Sequence, residues 1–82
     1  MHSFLADGRR LVGIKQCTKA VKDGLAEQAY LAVGVAPDIA EPFRKLCEKC
    51  GIPLKMVASK KELGSLCGID VDASVAVILK QE

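Results

Sequence analysis

The chain reads as an α/β domain in which helices pack on a sheet. Three observations predict this. Apolar runs of strand length alternate along the chain with segments of helical period, giving the order strand, helix, strand, helix, strand, helix, strand. The helical segments end at glycines, at Gly24, Gly51 and Gly68. The longest apolar stretches, Leu31–Ala36 and Ala73–Leu79, suit strands and fall far short of the ~20 residues of a membrane helix.

Leu11 to Ile14 is a short apolar run, broken at Gly13. From Lys15 to Gly24 the period turns helical. Ile14, Cys17, Ala20 and Val21 share one face there, and Lys15, Lys19 and Lys22 lie opposite. Ala29 to Val35 is almost continuously apolar, as in a strand covered on both sides. Pro37 and Asp38 mark a turn and a helix start. Pro42 is expected in or before the first turn, since a proline further in removes a hydrogen bond and clashes with the preceding turn. Ile39, Phe43, Leu46, Cys47 and Cys50 keep helical spacing, and Gly51 and Pro53 stop the helix. Leu54 to Ala58 is the next strand.

Ser59-Lys60-Lys61-Glu62 then reads as a reciprocal capping box. Leu63, Leu66 and Cys67 form the inner face of the helix it opens. The loop Ile69-Asp70-Val71-Asp72 leads to a last strand, Ala73–Leu79. At the N-terminus, Met1–Asp7 is compatible with a short helix ended by Gly8. No repeat or linker interrupts the 82 residues, so a single domain over 1–82 is expected. With no signal-peptide pattern, the expected setting is cytoplasmic.

Catalytic chemistry finds little support. His2, the single histidine, sits at the chain terminus. No acid pair is placed for proton transfer, and neither G-x-x-x-x-G-K-[ST] nor G-x-G-x-x-G occurs. Cys47 and Cys50 have C-x-x-C spacing. However, Cys17 and Cys67 supply no second close pair for zinc, and the pair falls at a helix C-terminus, where the dipole raises a thiol pKa. All four cysteines fall on predicted inward faces and read as small apolar core residues. The expectation is a chain that is not an enzyme, with no metal and no cofactor.

Charge is segmental. Residues 1–22 balance at +4, 23–42 at −4, 43–61 at +5 and 62–82 at −3, for a net +2. Two basic blocks make a local positive face if folding joins them; otherwise they are ordinary solvated Lys and Arg. The aromatics, Phe4, Tyr30 and Phe43, do not form the stacking motif of sheet-type RNA modules, and no G-x-x-G loop is present. RNA contact would therefore use helix ends, polar side chains and an aliphatic loop. Lys15 and Gln16 follow Gly13 at a helix start, where free N–H groups favour phosphate and a Gln side chain can read a base edge. Lys60 and Lys61 oppose the dipole of their own helix, which an external anion would relieve. The loop Ile69–Ala73 either folds its aliphatic residues onto the core or cradles an unstacked base.

Leu11–Ala20 resembles the G-x-N-E-x-T-K-A signature of the large-subunit ribosomal protein seven-Ae and thirty-e family. Cys50-Gly51-Ile52-Pro53 resembles its G-I-P turn, and Ser59–Gly64 with Cys67-Gly68-Ile69 and Ala73–Ala76 resembles its C-terminal signature. The likeness spans about Leu11–Leu79, in three ordered motifs. It implies a three-layer α-β-α sandwich around a four-stranded mixed sheet, and binding to kink-turn RNA, a helix bent at a bulge beside tandem sheared G·A pairs.

The resemblance also assigns residues. Gly13 and Ile14 would give close backbone approach, and Lys15 and Gln16 would face the G·A bases. Lys19, Lys22, Lys60 and Lys61 would meet base edges or phosphates. Ile69, Asp70, Val71, Asp72 and Ala73 would hold the bulge nucleotide. Lys15 stands where the family usually has Asn and Gln16 where it has Glu, a form that resembles short bacterial members. The implied partner is structured ribosomal or riboswitch-type RNA, bound by a monomer with no membrane contact. The competing readings are a protein-interaction module of the same fold and a thiol or zinc protein built on Cys47 and Cys50.

Overall fold

The structure, a computed structural model, describes residues 10–80. Its elements are β1 (Arg10–Val12), α1 (Ile14–Lys22), β2 (Ala26–Ala32), α2 (Pro37–Cys50), β3 (Leu54–Val57), α3 (Lys60–Leu66) and β4 (Val75–Leu79). The strands form one sheet in the order β1-β4-β2-β3. β4 runs antiparallel to both β1 and β2, while β2 and β3 are parallel. The sheet is therefore mixed, as the resemblance implied.

Strand alternation builds two cores. Ala29, Leu31, Val75 and Val77 point to one face, where Cys17, Ala20 and Val21 of α1 and Phe43 and Cys47 of α2 cover them. Tyr30, Ala32, Ala76 and Ile78 point to the other face, under Leu63 and Cys67 at α3. Helices on both faces make three layers, and β2 and β4 are buried on both sides as their apolar runs require.

Because β4 is antiparallel to β1 and β2, and β3 is parallel to β2, strands β1, β2 and β3 all run the same way. Each is followed directly by a helix. All three helix N-termini consequently lie along one edge of the sheet, together with the start of β4.

Several expectations need correcting. β2 spans Ala26–Ala32, not Ala29–Val35. A bulge at Glu27, between the Ala26–Leu79 and Gln28–Ile78 pairs, puts Ala26 and Ala29 on the same face although they are three positions apart, which hides the strand pattern. Val33, past the strand end, is 53% exposed. β4 starts at Val75, two residues after Ala73.

Pro42 lies inside α2 rather than in its first turn, which Pro37 occupies. The carbonyl it leaves without a helical donor belongs to Asp38. Both residues are exposed, so water can take the missing bond. Ser59 Oγ accepts from the Glu62 N–H at 3.0 Å, giving the first half of the capping box, while the reciprocal bond is not formed among the described residues. Cys50 is exposed, because it falls past the last buried turn of α2; Cys17, Cys47 and Cys67 are buried. The suggested helix at Met1–Asp7 lies outside the described residues.

Candidate nucleic-acid interface

α1 opens in an unusual way. Gly13, its N-cap, has φ 107° and ψ 141°, a region that side-chain-bearing residues rarely enter. Its N–H donates to the Val75 carbonyl at 3.3 Å, and its carbonyl accepts from Cys17 N–H at 3.0 Å. The N–H groups of Ile14, Lys15 and Gln16 precede the first helical donor and have no place in the ladder. No side chain caps them, and the first turn carries no acid.

The other two helices at this edge differ. α2 carries Pro37 at its first position and Asp38 beside it, and α3 is capped by Ser59 and has Glu62 in its first turn. α2, like α1, has no side-chain cap, but among the described helices α1 alone has neither a cap, an acid nor a proline in its first turn, which favours an external anion there.

The side chains around that opening fit the same chemistry. Lys15, Gln16 and Lys19 are all exposed. Lys19 Nζ donates to Asp23 at 3.1 Å, but both side chains are solvated, so the pair holds the lysine only weakly. Ile14 is half-buried and packs on the core, so it offers its backbone rather than its side chain. Lys22 sits at the far end of α1, about 10 Å along the axis from Lys15 at 1.5 Å per residue. There it lines the groove between α1 and α2, with Asp38. It also lines a shallow groove along α1 with Ile14, Lys15 and Lys19, one to two turns away from the helix start.

The 69–73 loop is brought there. Val75, which accepts from Gly13, follows Ala73 by two residues, and Ala73 N–H donates to the Lys60 carbonyl at 3.0 Å. One chain of hydrogen bonds thus ties the start of α1, the start of β4 and the start of α3. Lys60 and Lys61 are exposed on that side. Val71 is 67% exposed, and Asp70 and Asp72 are exposed with it. Ile69 folds back onto the α3 core. Ala73 is buried, so its side chain is not a surface contact; the backbone bond to Lys60 turns it inward. Lys61 and Ser65 of α3 and residues 69–72 line a cleft of about 220 Å³.

Two contacts of α3 were not legible in the sequence, one of them at the end of the sheet away from the helix starts. Arg10 Nε donates to the Cys67 carbonyl at 2.7 Å, which joins β1 to the end of α3. Gly64 is buried, and a Cβ built there would overlap the Val71 carbonyl oxygen. A motif flags Gly64 only as a helical glycine; the approach that requires it is tertiary.

The cysteines do not gather into a site. Burial pushes the Cys17 thiol up to about 12 and Cys47 up to about 11, and raises Cys67 despite the nearby Arg10 guanidinium. Thiols held protonated are poor nucleophiles and poor ligands. No group of three metal-ligating side chains occurs among the described residues.

Fold and site together define a small α-β-α sandwich with an open basic helix start beside an aliphatic loop. Residues 4–82 match the ribosomal protein L7Ae/L30e/S12e/Gadd45 family, and the chain belongs to it. It is 38% identical over 68 residues to a protein of Caldanaerobacter subterraneus named as RNA-binding, covering 83% of each chain. It is 32% identical over 76 residues to a protein of Geobacillus, also named as RNA-binding, covering 93% of each. Among solved structures, the Giardia lamblia 15.5kD RNA binding protein superposes with a TM-score of 0.82 at 31% identity, over 90% of this chain and 62% of that one. A Bacillus halodurans protein of unknown function superposes with a TM-score of 0.85 over 95% of this chain and 82% of the other; at 23% identity it supports the fold alone.

Proposed function

We propose that this chain is a non-catalytic RNA-binding protein that recognises kink-turn RNA and stabilises its bent form. One observation carries the reading: the open N-terminus of α1, set by Gly13, lies beside the 69–73 loop at a single edge of the sheet. The family and the names of its relatives support RNA as the ligand.

The chemistry follows from the geometry. The major groove of an A-form helix is too deep and narrow for side chains to read, and a kink at G·A pairs opens it. The free N–H groups of Ile14, Lys15 and Gln16 then meet phosphate or base acceptors, with Gly13 letting the RNA approach the backbone. Gln16 both donates and accepts at a base edge. Lys15 faces the G·A bases beside Gln16; Lys19, Lys60 and Lys61 meet base edges or phosphates, and Lys22 is a peripheral contact. Val71, with Asp70, Asp72 and the backbone at Ile69 and Ala73, holds the unstacked bulge base. A protein that prefers the bent RNA shifts the RNA toward that state without any chemical step. The same reading makes the protein a cytoplasmic monomer acting on ribosomal or riboswitch-type RNA.

The test is a titration at fixed salt against a kink-turn RNA and a control whose G·A pairs are replaced by Watson–Crick pairs. Clear preference for the kink-turn supports the reading. Equal, weak and salt-sensitive binding to both would overturn it and put the protein-interaction module in its place.

A further inference from the structure

We infer that Gly64 is a positioning residue for the bulge nucleotide: its missing side chain lets the Val71–Asp72 backbone seat directly on α3, and that seat sets the width of the cleft where the base is held. The inference rests on the kink-turn reading and deepens it.

Gly64 lies in the middle of α3 and does not have a positive φ. Its backbone is ordinary helix, which alanine would favour by about 1 kcal/mol. Conformation therefore does not account for glycine here; space does. A Cβ would overlap the Val71 carbonyl oxygen and stand 3.1 Å from the carbonyl carbon and 3.5 Å from the Asp72 Cα. These are backbone atoms, so no side-chain rotation relieves the overlap.

The loop is pinned on both sides of this contact. Ile69 N–H donates to the Gly64 carbonyl at 3.1 Å, and Ala73 N–H donates to the Lys60 carbonyl at 3.0 Å. Between those anchors, residues 70–72 have no slack to bow outward while both bonds hold. The cleft that follows has two walls: Lys61, one turn before Gly64, and Ser65, the residue after it, on α3, and Ile69 to Asp72 on the loop. Any side chain at 64 pushes these walls apart. The exposed Val71 side chain then leaves its place while the open start of α1, which Gly64 does not touch, is left as it was.

This separates loop-borne affinity from the rest. The experiment measures binding of the whole protein and of Gly64→Ala to a kink-turn RNA, and to the same RNA carrying an abasic site at the bulge. Gly64→Ala is expected to lose roughly 10- to 100-fold on the intact RNA, the range of one lost base contact. On the abasic RNA it should bind as the parent protein does. An equal loss on both RNAs would show a merely structural role and overturn the inference, as would no loss on either.

If Gly64→Ala does not fold, a variant with one glycine inserted between Asp70 and Val71 carries the same comparison. It unseats the loop without touching α3, and a loss independent of the bulge base would again overturn the inference. Failure of the parent protein to prefer the kink-turn is a separate result, and refutes the function itself.

Discussion

Gly13→Ala is expected to destabilise the fold and disorganise the RNA-facing end of α1. Nothing lies within 4 Å of a Cβ built on Gly13, so no crowding contributes. The effect comes from φ 107° and ψ 141°, a combination almost confined to glycine. Holding alanine there costs about 1–3 kcal/mol. Alanine is also the poorer N-cap, which adds on the order of 0.5–1 kcal/mol.

A domain of 82 residues has a total stability of roughly 4–12 kcal/mol, at 0.05–0.15 kcal/mol per residue. The loss is therefore a large share of the whole. With about 4–8 °C per kcal/mol for a domain of this size, the melting midpoint should fall by roughly 5–20 °C. Urea unfolding should show a lower midpoint with an unchanged slope, since the surface exposed on unfolding is the same. If the backbone escapes to a negative φ instead, the bond from the residue 13 N–H to Val75 is lost, and that amide should exchange faster with solvent. An unchanged midpoint with unchanged amide protection would refute the claim that this backbone conformation is held by the fold.

Gln16→Ala should weaken kink-turn binding by about 1–3 kcal/mol, as for a lost base-edge contact, with no loss in the unfolding midpoint because the side chain is exposed; parent-like affinity would remove Gln16 from the interface. Lys19→Ala should lower affinity and flatten the dependence of log K on log salt by roughly 0.7–0.9 if one phosphate contact is lost, and an unchanged slope would exclude that contact. Breaking its exposed pair with Asp23 should barely move stability. A thiol reagent should label Cys50 quickly and Cys17, Cys47 and Cys67 only as the protein unfolds; rapid labelling of all four would contradict the core described above.

The buried thiols also fix a pH response. Their folded pKa values are raised, so their contribution to stability is complete below the ordinary thiol value of 9.0. It should fall as pH rises from there towards about 11 for Cys47 and about 12 for Cys17. Stability that climbs over that interval would show the thiols to be ionised in the folded chain.

The layered fold was legible because its signals are local. Ser59 caps α3 within one turn, and Gly51 closes α2 where the apolar spacing ends. The unbroken apolar run at the end of the chain reports burial on both faces of β4. What the sequence hid was non-local. The bulge at Glu27 breaks the alternation that would have marked the start of β2, and only pairing with β4 reveals it. Pro42 is tolerated because it and Asp38, whose carbonyl loses its helical donor, are both exposed, a fact of burial rather than of sequence. Cys50 shares the helical spacing of Phe43 and Cys47 but lies past the point where α2 leaves the core.

The site divides the same way. Gly13, Lys15, Gln16 and Lys19 are contiguous or one turn apart, so the sequence could group them. The register that places Val75 beside Gly13 joins them to the 69–73 loop, and no spacing encodes it. Ala73 was assigned to the surface for that reason: its neighbours Val71 and Asp72 are exposed, while its own side chain turns into the α3 core.

The most direct test of the account is energy transfer between dyes on the two arms of a kink-turn RNA as the protein is added without metal ions that fold the RNA by themselves. The arms should close in step with binding, and the control with Watson–Crick pairs in place of G·A pairs should stay extended. Tight binding to the kink-turn RNA with the arms left extended would contradict it, because the edge formed by α1 and the 69–73 loop would then be reading something other than the bend.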